Sequence, residues 1–277
     1  AELAKRNIRL SSANSINWGR LVPQIVYYFA AYAQLLKAGQ IALGDAVDFC
    51  VPTGNFGDIL AGYYAKQMGL PVGKLVCASN ENNVLTDFLT TGTYTARRAF
   101  YKTTSPSMDI LVSSNLERLL YHVTGSDTEV ASLMKQLNET GSYTVRPETL
   151  AAIQESFACG WSSEAQVAGE IRARYEQDHY LCDTHTAVAF HVAAQHKRDG
   201  VPMVVLSTAS PFKFPRSVLE ALGHAAPAND FEAMQQLEEA TGCTAPASLS
   251  ALRQKAERFH TVIDPEQIAQ VALRYQA

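Results

Sequence analysis

The sequence predicts an α/β protein: an open, mostly parallel sheet with helices on both faces, followed by a helical C-terminal region. Three observations lead there. Short apolar runs recur at 47–51, 74–78 and 203–206, each of strand rather than helix length. Segments of helical length separate them, which is the connection that parallel strands require. A glycine-punctuated turn around Gly54 and Gly57 joins the first strand directly to a helix.

Taken in order, Asn14 or Asn17 caps a helix over 21–37, and the stretch 39–44 turns the chain into the strand 47–51. Residues 59–68 read as helix, with Asp58 placed to cap its first N–H groups, and Gly69-Leu70-Pro71 ends it before the strand 74–78. Residues 84–89 are helical, 90–107 form a polar loop carrying Arg97 and Arg98, and 108–112 is a strand candidate. Helices follow over 116–123, 129–138, 147–158 and 162–177. Asp183 and Thr184 cap a helix over 185–196, and 203–206 is a buried strand. STASPFKFP is a turn, 216–222 a short helix, and 230–276 helical with breaks at Gly242, Pro246 and Pro265. The aromatic run Tyr27, Tyr28, Phe29 and Tyr32 has apolar neighbours all round and reads as core packing.

The 277 residues, 47% of them hydrophobic, suffice for a substantial core, and the pattern divides into 1–223 and a helical extension, 224–277. With 23 Lys plus Arg against 27 Asp plus Glu, the net charge of −4 provides no field for nucleic acid. The longest uncharged apolar stretch, 21–36, is shorter than the roughly 20 residues that span a bilayer and contains Pro23, Gln24 and Gln34, so a buried helix is expected. Five scattered cysteines in a chain of this size suit free thiols in a reducing, cytoplasmic compartment. The first residues resemble neither a signal nor a transit peptide, and the chain reads as part of a larger protein.

Three polar clusters stand where apolar elements end. The glycine turn aims unpaired N–H groups at one spot, with the positive end of a helix dipole behind them, and so forms a cradle for a phosphate dianion. Its spacing is neither GxxxxGK[ST] nor GxGxxG, which argues against a nucleoside triphosphate. The alternative is a plain strand-to-helix turn that needs glycine only for geometry. NSINWGR, residues 14–20, gathers two Asn, a Ser and an Arg at a helix start, suited either to an anion or simply to capping. Residues 207–214 follow the strand 203–206, and in open parallel sheets ligands bind at the carboxyl ends of the strands. His179, Cys182 and His185 have metal-like spacing without a fourth ligand nearby, and no metal is expected. His185, with Thr184 and Thr186, either touches a ligand or caps its helix, and His122 and His260 read as structural or exposed.

In this order, SANSINWGRLVPQIVYYF, VPTGNFGDILAGYYAKQMGLPV, DTHTAVAF and LSTASPFKF resemble threonine synthase, one of the fold type II enzymes that use pyridoxal phosphate. The similarity runs from about residue 12 to 223, and the last fifty residues match less distinctively. The resemblance implies that Gly54, Asn55, Phe56, Gly57 and Asp58 hold the cofactor phosphate through backbone N–H groups, and that Thr208 presents its hydroxyl to the pyridine nitrogen. It implies that Asn14, Ser15 and Arg20, with Asn55, bind the phosphate or carboxylate of O-phosphohomoserine. The implied reaction eliminates the γ-phosphate and adds water at the β carbon, yielding threonine.

One part of that machinery is missing. The family's Schiff-base lysine lies in a short S-x-K-D-like segment, and none of the lysines here stands in such a context; Lys213 matches a different family position. The resemblance therefore implies the carboxyl-terminal part of the enzyme, inactive alone, with no catalytic residue of its own. Its partners would be the missing amino-terminal part or a second copy, since unpartnered strand edges and apolar faces invite dimerisation. A noncatalytic binder of phosphate ligands, or another fold type II lyase such as a serine or threonine dehydratase, is the alternative.

Overall fold

The computed structural model describes residues 2–9, 11 and 13–274. Four parallel strands form the central sheet: β1 (Val47–Pro52), β2 (Val72–Ser79), β5 (Phe157–Trp161) and β6 (Met203–Val205), in the order β5-β2-β1-β6. Two short strands, β3 (Thr93–Thr95) and β4 (Ser142–Thr144), pair antiparallel beside it, with the Tyr94 and Tyr143 rings stacked at 5.3 Å. The helices that matter here are α1 (Ile25–Lys37), α2 (Gly57–Gln67), α3 (Val84–Thr91), α4 (Leu116–Thr124), α5 (Asp127–Thr140), α6 (Pro147–Ser156), α7 (Glu164–Asp178), α8 (Thr184–His196), α9 (Pro215–Ala221) and α10 (Asp230–Thr241).

Because successive strand residues point to opposite faces, β1 and β2 are apolar throughout and feed two cores. Val47, Phe49, Val51, Leu75 and Cys77 pack against α1 to α4, whereas Cys50, Val76 and Ala78 pack against α7 to α10. This is the expected open parallel sheet covered on both faces. Asp48, buried in β1, fastens the layers: Arg198 donates to its two carboxylate oxygens at 2.7 and 2.6 Å, and the Lys74 amide donates at 2.6 Å. Gly73 is required beside it, since an added Cβ would lie 2.3 Å from Asp48 Oδ1.

Several expected elements differ. Residues 108–112 are not a strand: a 3-10 turn, Pro106–Met108, is followed by bends. The Asp109 carboxylate accepts bonds from Asn80 and Asn82, nearly 30 residues earlier, and from Thr103, and these side-chain bonds hold the segment out of a ladder. The helix expected over 147–158 stops at Ser156, and FACGW becomes β5, whose Gly160 faces Val192 so closely that a Cβ would meet its Cγ1 at 2.8 Å. The polar loop 90–107 contains the end of α3 and β3.

The helix expected over 21–37 begins as a turn, Trp18–Leu21, capped by Asn17, whose side chain accepts from the Gly19 amide at 2.9 Å. A 3-10 turn at Pro23 then precedes α1. Nor is this segment buried all round. Tyr28 and Tyr32 enter the core, but Val26 is 62%, Tyr27 56% and Phe29 37% exposed, which corrects the core assignment of Tyr27 and Phe29. In the C-terminal region continuous helix ends at Thr241, and residues 255–264 are irregular. β6 is half-buried at the sheet edge rather than fully enclosed. His122 is exposed, its Nε2 2.9 Å from the Tyr64 hydroxyl.

Candidate functional site

At the carboxyl ends of β1 and β6 the chain encloses a cavity of about 610 Å³. All three polar clusters reach it: Ser15 and Arg20, the turn Gly54 to Asp58, and Ser207, Thr208 and Lys213. Asn14 does not line it. Its side-chain oxygen instead accepts from the Ile16 amide at 3.0 Å and shapes the turn that carries Ser15.

The turn is built from behind. Phe56 takes a left-handed conformation (φ 61°), its ring buried against Phe157, and so swings the backbone from strand into α2. Ser113 Oγ donates to the Gly54 carbonyl at 2.8 Å, and the Asn115 amide and Nδ2 both donate to the Asn55 carbonyl, at 3.1 and 2.9 Å. Ser114 donates to Asn55 Oδ1 at 3.3 Å. With the carbonyls held on one side, the amides of residues 54–58 have no acceptor among the described residues. Gly54 is needed for close approach, since a Cβ there would sit 3.1 Å from both Met108 Cα and the Ser107 carbonyl.

Asp58 lies inside the first turn of α2 rather than at its cap. Its Oδ1 and carbonyl accept from the Tyr28 hydroxyl at 3.1 and 2.8 Å. Burial pushes its carboxyl up to about 6, the Tyr28 bond working the other way. Burial likewise carries the Tyr28 phenol well above its usual range, with the Asp58 charge adding to it.

His185 sits in the wall. Its Nε2 accepts from the Ser107 amide at 3.2 Å, so Nδ1 carries the proton and donates to Asp183 at 3.0 Å. Burial works to raise the Asp183 carboxyl, but hydrogen bonds from His185 and Thr186 outweigh it and hold the group below the ordinary carboxylate value. Asp183 also caps α8, accepting from the His185 amide at 2.8 Å. His185 thus both lines the site and helps form the cap, whereas His179 and Cys182 do not join it, and no metal-holding group occurs among the described residues. Thr208 is exposed to the cavity and its hydroxyl has no partner among the described residues.

Sequence reasoning missed Ser107, Met108, Ser113, Ser114 and Asn115. The last three form a polar triplet immediately before a helix, which is a turn signal, but their target lies about 60 residues earlier in the chain. Asn115 is fully buried and also donates to the Ser15 carbonyl at 3.3 Å, while Arg118 donates to its side-chain oxygen and to the Ile16 carbonyl, the latter at 2.8 Å. It therefore ties the 14–20 segment to the glycine turn.

Comparison with known proteins finds threonine synthases among its most similar relatives. The family described as threonine synthase, C-terminal, matches residues 186–272 and so includes much of the region beyond residue 223. Threonine synthase-like 1 of Pongo abelii is 45% identical over 215 residues, covering 77% of this chain and 29% of that protein. Threonine synthase of Methylobacillus glycogenes is 40% identical over 225 residues, covering 79% of this chain and 46% of that protein. The crystal structure of threonine synthase from Brucella melitensis with bound pyridoxal phosphate is 41% identical and superposes with a TM-score of 0.81, over 96% of this chain and 52% of that one. The chain thus spans at most about half the length of these relatives.

Proposed function

Since this chain belongs to the threonine synthase family and matches the carboxyl-terminal part of its members, we propose that it supplies the phosphate cradle and substrate-anion wall of an enzyme converting O-phosphohomoserine and water to threonine and phosphate. The observation that carries this reading is the set of acceptor-free amides at residues 54–58, facing a cavity shared with Ser15, Arg20 and Thr208. Those amides at a helix N-terminus fit a phosphate monoester. The unpartnered Thr208 hydroxyl fits a ring nitrogen, and a neutral partner of this kind leaves that nitrogen largely unprotonated.

Pyridoxal phosphate, when bound, provides the electron sink for the reaction. The remaining work falls to protein groups. Arg20 offers a planar fork to the substrate's phosphate or carboxylate, with Ser15 and the Asn55 side chain beside it, and Asn14 acts by shaping their turn. His185 is committed on both nitrogens, to Ser107 and Asp183, and serves as wall rather than base. No lysine here stands in the family's Schiff-base context, and the chain by itself is expected not to turn over. The exposed apolar face of α1 suits a cover from the rest of the enzyme or from a second copy. Five free cysteines favour a cytoplasmic setting. No helix among the described residues is long and apolar enough to cross a membrane. A second reading is a noncatalytic member that only binds phosphate ligands.

Equilibrium dialysis of this chain against pyridoxal phosphate and against pyridoxal tests the cradle. The phosphorylated form should be retained and the other not, with Arg20→Lys leaving this difference intact. Equal retention would refute the cradle. Adding the upstream half of a threonine synthase and measuring phosphate release from O-phosphohomoserine then separates the two readings, because a binder releases none.

A further inference from the structure

A second, smaller cavity of about 180 Å³, lined in part by Ser113 and Ser114, lies at the junction of the β3–β4 pair with α4 and α5. Leu116, Met134, Leu137 and the Tyr94 ring make its surface apolar. Besides the hydrogen-bonded Ser113 and Ser114, it is lined by two polar side chains without partners among the described residues. Tyr143 is only 3% exposed, yet its phenol has no hydrogen-bond partner among the described residues. Glu117, on the first turn of α4, likewise has neither a hydrogen bond nor an ion pair among the described residues. Glu117 is partly exposed and the Tyr143 ring is buried at the same cavity, so both unpartnered groups are available to a ligand there.

We infer that this cavity binds an ammonium group on a short apolar stem, with Glu117 and the Tyr143 phenol oxygen accepting its protons. The inference is independent of the proposed function. The Glu117 carboxylate only accepts and the Tyr143 phenol oxygen can accept beside it, so a donating, cationic head suits both. The carboxylate repels anions, the walls call for an apolar body, and the volume excludes anything much larger than a short chain. Free alkylamines and a lysine side chain share this chemistry. Occupancy would be felt next door, since Ser113 and Ser114 line this cavity and hold Gly54 and Asn55 of the first.

The test is calorimetric titration of this chain with n-butylammonium, Nα-acetyl-lysine methylamide, n-butanol and butyrate. Saturable 1:1 binding of either ammonium is expected, the tighter of the two identifying the source, with butanol and butyrate weaker by at least about tenfold. Glu117→Gln and Tyr143→Phe should each weaken ammonium binding by about tenfold or more at unchanged circular dichroism. Should Tyr143→Phe fail to fold, the Glu117 variant, altered at a partly exposed position, decides alone. Failure of both ammonium probes to saturate, butanol binding as well as butylammonium, or binding indifferent to Glu117→Gln would overturn the inference.

Discussion

Replacing Asn115 by alanine should damage stability and anion binding together, although Asn115 does not line the cavity. Its side chain makes three bonds that reach other segments or Arg118, besides a long 3.5 Å one to the adjacent Ser114 Oγ: Nδ2 to the Asn55 carbonyl at 2.9 Å, Nδ2 to the Ser15 carbonyl at 3.3 Å, and Oδ1 receiving Arg118. The backbone bond to Asn55 at 3.1 Å survives the change, so that carbonyl is not orphaned. The two neutral bonds are worth about 0.5–1.5 kcal/mol each, the longer at the low end. The Arg118 bond adds about 1.5 kcal/mol, since the partly exposed guanidinium can turn to water. The sum is a loss of about 2–4 kcal/mol in urea unfolding. Affinity for pyridoxal phosphate should fall by about tenfold as the turn loses one of its two supports from residue 115 and its tie to Ser15. Asn115→Asp keeps an acceptor for Arg118 but sets carboxylate oxygens against two carbonyls, and should bind no better than the alanine variant. A stability change under about 0.5 kcal/mol with unaltered affinity would refute the view that Asn115 joins the two halves of the site.

Three further outcomes are expected. Gly54→Ala should cost about 1–3 kcal/mol in thermal or urea unfolding, because the new Cβ meets backbone at 3.1 Å, and should weaken pyridoxal phosphate binding more than a substitution at the open Gly169 does. For Asp58, whose carboxyl is raised to about 6, the folded state holds its proton more tightly than the unfolded chain. The resulting stability is fully present below about pH 4 and is lost as pH rises through about 6, so the wild type should lose about 1–3 kcal/mol relative to Asp58→Asn across that window in urea titrations. A flat difference would contradict the burial of that carboxyl. Arg198→Ala strands the buried Asp48 carboxylate on a single amide; with Arg198 itself nearly half exposed, a loss of about 1–3 kcal/mol is expected, and a change below about 0.5 kcal/mol would show that water replaces it freely.

The parts of this molecule legible in its sequence are those whose cause is local. Glycines at 54 and 57 after an apolar strand declare a turn that leaves N–H groups unpaired, and Asp183 declares a helix start, because both depend on backbone geometry within a few residues. The alternation of Phe49 and Cys50 between two cores likewise follows from strand periodicity. Where prediction failed, distant partners decided. FACGW becomes a strand because β2 offers a parallel edge, pairing Cys77 with Cys159, although its own residues extend a helical pattern on either side. Residues 108–112 lose their strand to Asn80, Asn82 and Thr103, which capture Asp109 from elsewhere in the fold. Tyr27 and Phe29 lie exposed because helix–helix packing covers only one side of α1, a fact that composition does not contain.

The amino-acid sequence by itself determined the turn that frees five amides and the family to which the chain belongs. The tertiary structure alone decided that Ser15, Arg20, His185 and Thr208 meet those amides around one cavity, and that the carbonyls of the turn are held away from it by Ser113 and Asn115. The reason is physical: φ, ψ and periodicity propagate over a few residues, whereas a site assembled from segments as far apart as Ser15 and Thr208 exists only once two apolar faces of a sheet have been buried.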